Sequence, residues 1–227
     1  MRRNLRGNGR RKMKMTWFAR PAKFKLRMLL MLLGVSLQGL ALSLLIRINF
    51  GTDPCSALTQ GVIAHVPLSF GTAQVLCHMV NFIIVMRYDM SRIGFGTIGN
   101  VVCLGYISDF FGWIWDSIAP EHFFEGMPVR VLILVPALCV FILGAANYMT
   151  SGLGASPYDS VPFIISQHVH RFSFRAIRMT WDICFMSAGA ILGGDVGIVT
   201  VAVALFMGPA IGIVGKKLES WLNKDEK

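Results

Sequence analysis

Arg178 and Asp182 stand four residues apart in the run AIRMTWDICFMSAGAILGG, which carries no other charge. Positions four apart share one face of a helix, so the guanidinium and the carboxylate can pair. Ionisable groups inside a membrane are costly and mark a functional site by default. Pairing lowers that cost for both groups. Two readings stay open: a solute or proton site, or an ion pair that locks this helix to a neighbour. Arg178 also lies about one turn from the end of its run, within reach of the interface by snorkelling.

Other polar groups in apolar runs are few. Gln74, His78 and Asn81 fall in one run. His78 can titrate near neutral pH and relay a proton, or can simply be satisfied by a backbone carbonyl; Asn81 can bond between helices. Asp109, in GYISDFFGW, is either a pathway carboxylate or a group reaching interfacial water, with Trp113 and Trp115 as belt residues. Gly208 and Gly212 form a G-x-x-x-G, and with Gly105 they are candidate close-packing positions. No H-E-x-x-H, G-x-S-x-G, Walker loop or dinucleotide fingerprint occurs, so no catalytic residue and no enzymatic activity is expected. The five cysteines lack C-x-x-C spacing and read as small buried hydrophobes. Neither a metal site nor a cofactor is expected.

These groups must be positioned by membrane helices. Of the 227 residues, 54% are hydrophobic and 15% charged, against about 25% charged in soluble domains. The apolar residues cluster into six runs, about 28–46, 70–86, 93–115, 131–149, 176–194 and 196–214, most near the ~20 residues that cross a bilayer. The second is the shortest and most polar. The first is too long for a signal peptide and reads as a retained helix. An all-α polytopic membrane protein follows, with a basic arm at 1–27, an external acidic loop at 118–130 and a charged tail at 216–227.

Half of the 22 Lys and Arg lie in residues 1–27, which carry no acid. Placed directly before an apolar helix, such an arm holds anionic inner-leaflet lipids, at about 1 kcal/mol per residue; nucleic acid is not an expected partner. With both termini cytoplasmic, the inner segments carry nineteen Lys and Arg and the outer ones two, Arg47 and Arg130. The positive-inside rule orients a multi-pass membrane protein so. A homo-oligomer is a further candidate assembly.

The chain repeats itself at an offset of 103. Gly51 and Pro54 of GTDPCSAL fall on Gly154 and Pro157 of GASPYDSV. His65 falls on His168, and Gly94, Thr97 and Gly105 fall on Gly197, Thr200 and Gly208. A one-residue shift aligns LSFGT (68–72) with FSFRA (172–176), and with it Gln74 and His78 with Arg178 and Asp182. Two repeats follow, 28–117 and 131–215. Each has three spans, and two copies of an odd-span unit lie in opposite orientation, the inverted-repeat plan of many transporters.

Each motif opens a short helix. Asp53 and Ser156 are N-caps by type, and Pro54 and Pro157 take the first helical position. About 13 residues rise about 20 Å, too little to cross a ~30 Å core. Each short helix either lies on the surface or dips in as a re-entrant segment. Its positive end would favour an anion, although Asp53 and, in the second copy, Asp159 count against one.

Together Gly51, Pro54, Gly94, Gly96, Thr97, Gly154, Pro157 and Asp159, with Arg178, Asp182, Gly193, Gly194, Gly197, Thr200, Gly208 and Pro209, resemble the YczE/YyaS/YitT group of bacterial membrane proteins, closest to its YczE branch. The resemblance covers about residues 28–215. Asp182 stands where the group leads one to expect Glu, and Val199 interrupts the second G-x-G-T. It implies a multi-pass inner-membrane protein and brings no substrate. The functional expectation is a compact transporter-like protein for a small anionic or amphiphilic metabolite, with Arg178, Asp182, Gln74 and His78 lining a central pocket. The alternatives are a scaffold for a peripheral complex, working through the basic arm, and a substrate-binding subunit of a larger transporter.

Overall fold

The computed structural model describes Phe18 and residues 20–222; most of the basic arm and the end of the tail lie outside the described residues. Every regular element among them is helical. In order they are α1 (Phe24–Ile48), α2 (Pro54–Ile63), α3 (Phe70–Tyr88), α4 (Phe95–Ile118), α5 (Met127–Thr150), α6 (Pro157–His168), α7 (Phe174–Ile191) and α8 (Ile198–Leu222). A π-helical turn, Gly99–Cys103, interrupts α4.

Five helices are long and apolar enough to cross a membrane: α1, α3, α4, α5 and α8. The expected count of six is therefore met for five. The remaining helix, α7, runs 18 residues but carries Arg175, Arg178 and Asp182. Between the long helices sit α2 and α6, of 10 and 12 residues. At 1.5 Å per residue they rise only about 15 and 18 Å.

The centre is α1 packed along α5, with Leu42, Leu45 and Ile48 buried against Ala137 and Phe141. Around this pair the halves interlock. The short α2 packs on α7 of the second half, and α6 packs on α3 of the first. Large apolar side chains such as Leu132, Phe206 and Val80 are exposed on the outer faces, as lipid contact requires.

The caps of the helices that follow the short ones repeat, and so do the histidine contacts at the ends of the short helices. Asp53 accepts from Ser56 N at 3.1 Å and caps α2. Ser69 accepts from Thr72 N at 3.2 Å and Ser173 from Ala176 N at 3.3 Å, so α3 and α7 share one cap at the one-residue shift. Nδ1 of His65 meets Gly61 O, and Nδ1 of His168 meets Ile164 O. One expected cap is absent: Ser156 occupies the cap position of α6, but its side chain makes no capping hydrogen bond.

The chain entries to α2 and α6 are held by the opposite half. Gly96 N donates to Leu153 O at 2.8 Å, and Val199 N donates to Phe50 O at 3.1 Å. Arg27 donates to Ser151 O at 3.0 Å, and Arg130 to Ile48 O at 2.5 Å. Thr97 and Thr200 each accept from the N–H three residues earlier, Gly94 and Gly197. Gly51 and Gly154 take φ of 98° and 117°, a region that glycine alone enters cheaply. A Cβ on Gly154 would lie 2.7 Å from Thr97 Oγ1, and one on Gly51 would overlap Thr200 Oγ1.

Two packing expectations fail. Nothing lies within 4 Å of a Cβ built on Gly208 or Gly212, so the G-x-x-x-G packs against no described neighbour. Gly105 does what its size allows: a Cβ there would lie 2.7 Å from Gly71 Cα and from Gln74 Oε1. The cysteines also differ from expectation. Cys55 is buried, but Cys139 and Cys184 are exposed, on faces where a small apolar thiol can meet lipid.

Candidate functional site

A cavity of about 450 Å³ lies between the halves, with residues of all eight helices around it. Ligand pockets commonly fall in this size range. Its wall holds Arg178 and Asp182 from α7 and Gln74 and His78 from α3. The four polar residues expected to line one pocket do so. The starts of both short helices face it as well, through Asp53, Pro54, Ser156 and Asp159; Pro157 is buried at the start of α6.

Arg178 is the hub. Its Nε donates to Asp182 Oδ2 at 3.2 Å, the pairing that the i, i+4 spacing predicts. Its Nη1 donates to Asp159 Oδ1 at 2.6 Å, tying α7 to α6. Tyr158 donates its hydroxyl to Asp182 Oδ1 and lies with its ring 4.9 Å below the Arg178 guanidinium. The helix period forecasts the first contact. The other two come from a segment 20 residues upstream that only tertiary packing brings in. The offset counterparts of Tyr158 and Asp159 are Cys55 and Ser56, so the repeat gave no hint of them.

Across the cavity the polar groups are less satisfied. Gln74 and His78 are 2% and 3% exposed. Gln74 Oε1, His78 Nδ1, Gln38 Oε1 and the Tyr148 hydroxyl have no hydrogen-bond partner, and all four side chains line this cavity. A buried polar atom without a partner costs about 1–3 kcal/mol, so these four atoms are the groups that a water or a solute entering the cavity would satisfy. Asn81 instead donates to Cys77 O at 3.2 Å within its own helix. Asp53 makes no ion pair among the described residues; burial pushes its carboxyl above the ordinary range, and the Ser56 hydrogen bond draws it partly back.

Asp109 lies elsewhere. Its Oδ2 accepts from Gly71 N at 2.8 Å, in the first turn of α3. It lines a second cavity of about 640 Å³ with Arg47, Asp116 and Asp195. There Arg47 pairs with Asp116 at 2.5 Å. Trp113 is exposed, whereas Trp115 Nε1 donates to Ser43 Oγ at 2.9 Å. The structure therefore separates Asp109 from the Arg178 group and gives it a role in holding α3.

Comparisons with known proteins fit a membrane protein. The chain is 26% identical over 182 residues to an uncharacterized protein of Haemophilus influenzae, covering 80% of each chain. It is 25% identical over 162 residues to the uncharacterized membrane protein YczE of Bacillus subtilis, covering 70% of each. No solved structure matches. A family described as a family of unknown function (DUF6198) matches residues 25–216, from the first turn of α1 into the second half of α8. The chain thus belongs to the DUF6198 family.

Proposed function

We propose that the protein is a compact transporter of the bacterial cytoplasmic membrane that moves a small amphiphilic solute through the cavity between its halves. One observation carries this reading: the polar residues of α3 and α7 and the starts of both short helices converge on that cavity. Transporters built from inverted repeats place their sites in this way, at the repeat interface.

In this reading α7 is the sixth span. Arg175, Arg178 and Asp182, which set it apart from the other five, all line the cavity; Arg178 and Asp182 pair with each other inside it, and Arg175 is exposed at the start of the helix. The reciprocal holds on 48–52 and 151–155 support an inverted duplication, since each contact recurs at the offset of 103. The short helices are re-entrant, with their starts turned inward. The Lys and Arg balance of the connecting segments puts both termini in the cytoplasm.

The lining favours an amphiphile over a simple anion. Aromatic and aliphatic side chains, among them Phe141, Phe163 and Phe174, form much of the wall. The Arg178 guanidinium is already shared by two carboxylates. Uptake of a panel of membrane-impermeant amphiphilic solutes into proteoliposomes tests the proposal. Uptake of a member, lost in Arg178→Ala and Asp182→Ala, is expected. No uptake of any member, or uptake that both variants keep, would end the reading.

A further inference from the structure

The charges and the unpartnered atoms of the central cavity together specify a head group. Three carboxylates line it, Asp53, Asp159 and Asp182, against two guanidinium groups, Arg175 and Arg178. Arg175 is exposed at the start of α7. Inside, Arg178 bridges Asp159 and Asp182. That leaves Asp53, which has no cationic partner among the described residues and only Ser56 N on its Oδ1. Burial disfavours the charged form of this carboxyl, a cost that a cation bound beside it would offset.

Three further side chains offer acceptors to the same space. Gln38 Oε1, His78 Nδ1 and the Tyr148 hydroxyl are unpartnered, in residues 7%, 3% and 2% exposed. A neutral imidazole with its proton on Nε2 accepts at Nδ1. Acceptors around one unpaired carboxylate suit a group that brings both donors and positive charge. An ammonium ion has three donors and no acceptor. The rings of Phe141, Tyr148 and Tyr158 line the same wall, and such faces attract cations and take up an apolar body. An anion would meet three carboxylates, one guanidinium already engaged by two of them, and Arg175 only at the exposed start of α7.

We propose that the cavity binds a monocationic amphiphile, its ammonium head between Asp53 and the acceptors of Gln38, His78 and Tyr148, and its apolar body among the aromatic rings. This deepens the transporter reading, and rests on the cavity being its working site.

Three probes with one body and different heads test it: phenethylamine, phenylacetate and 2-phenylethanol. Binding to the full-length protein in nanodiscs is measured by calorimetry, with empty nanodiscs as the blank for lipid partitioning. Phenethylamine is expected to bind saturably, at least about tenfold more tightly than phenylacetate, since an opposite charge beside Asp53 is favoured and a like charge is suppressed. Asp53→Asn keeps the N-cap, because Asn caps as well as Asp. It should weaken phenethylamine by at least about tenfold and leave 2-phenylethanol unchanged. Phenylacetate binding as tightly as the amine, an unchanged amine affinity in Asp53→Asn, or no binding of any probe would overturn the proposal. Amine binding without any solute uptake would instead remove the transporter reading and leave this one standing. Arg178-dependent uptake of an anion would do the reverse.

Discussion

Thr97 lies against Gly154 as Thr200 lies against Gly51. In each pair the threonine hydroxyl occupies the space that a Cβ would need, and the glycine has positive φ. Both threonines lie in the first turn of a long helix of one half, and both glycines lie three residues before a short helix of the other. The entries to the two short helices, which face the cavity, are thus fixed by contacts between the halves.

Alanine at Gly51 or Gly154 adds both a strained φ and an overlap. Each substitution is expected to destabilise by about 1–3 kcal/mol, read as a lower melting temperature of the purified protein. Gly212→Ala is the contrast. It meets nothing within 4 Å and lies inside α8, where alanine is favoured over glycine by up to about 1 kcal/mol; the melting temperature should hold or rise.

Arg130 closes the end of α1. Nε donates to Ile48 O at 2.5 Å, Nη2 donates to Asn49 O at 2.7 Å, and the guanidinium sits 4.3 Å from the Phe50 ring centroid. Arg27 has one such bond across the halves, to Ser151 O at 3.0 Å, and its other, to Ala22 O, stays within its own segment. Hydrogen bonds from charged donors contribute about 1.5–3 kcal/mol, so Arg130→Met should lower the melting temperature more than Arg27→Met. Equal shifts would show that the second bond and the ring contact add nothing.

Removing Arg178 leaves Asp182 buried without its partner. Loss of one member of a buried pair costs about 3–5 kcal/mol, and the 29% exposure of the Arg178 side chain puts Arg178→Ala at the low end. Asp182→Asn in the same chain should recover part of the loss. A double-mutant cycle with coupling above about 1 kcal/mol is expected; additive effects would mean that the pair is not a unit.

Orientation is tested by labelling. In a cysteine-free parent, Glu121→Cys should react with an impermeant maleimide on intact cells. His170→Cys should react only after lysis. The opposite pattern would invert the topology.

Much of this architecture was legible in the residues because membrane helices announce themselves by length and apolarity, and because small residues recurring at an offset of 103 marked the turns before both short helices. The convergence of Arg178, Asp182, Gln74 and His78 followed from the same alignment. Other features depend on tertiary contact. Asp159 and Tyr158 join Arg178 only because α6 packs beside α7. Arg27 and Arg130 also fall at the offset of 103, but their carbonyl partners carry no side-chain signal. The spacing of Gly208 and Gly212 suggested packing because it cannot tell a helix–helix face from one that lines open space. Ser156 has the right type and backbone for a cap and yet makes no capping bond, since residue type alone does not aim a hydroxyl.

If the cavity between the halves is a working solute site, solute flux must depend on its lining, and proteoliposomes measure that flux. Membrane-impermeant amphiphilic solutes are offered to liposomes bearing the wild type, Arg178→Ala, Asp182→Ala and Gly212→Ala. Uptake by the wild type and Gly212→Ala, lost in the two cavity variants, is expected. No uptake above protein-free liposomes, or equal uptake by all four proteins, would contradict such a site.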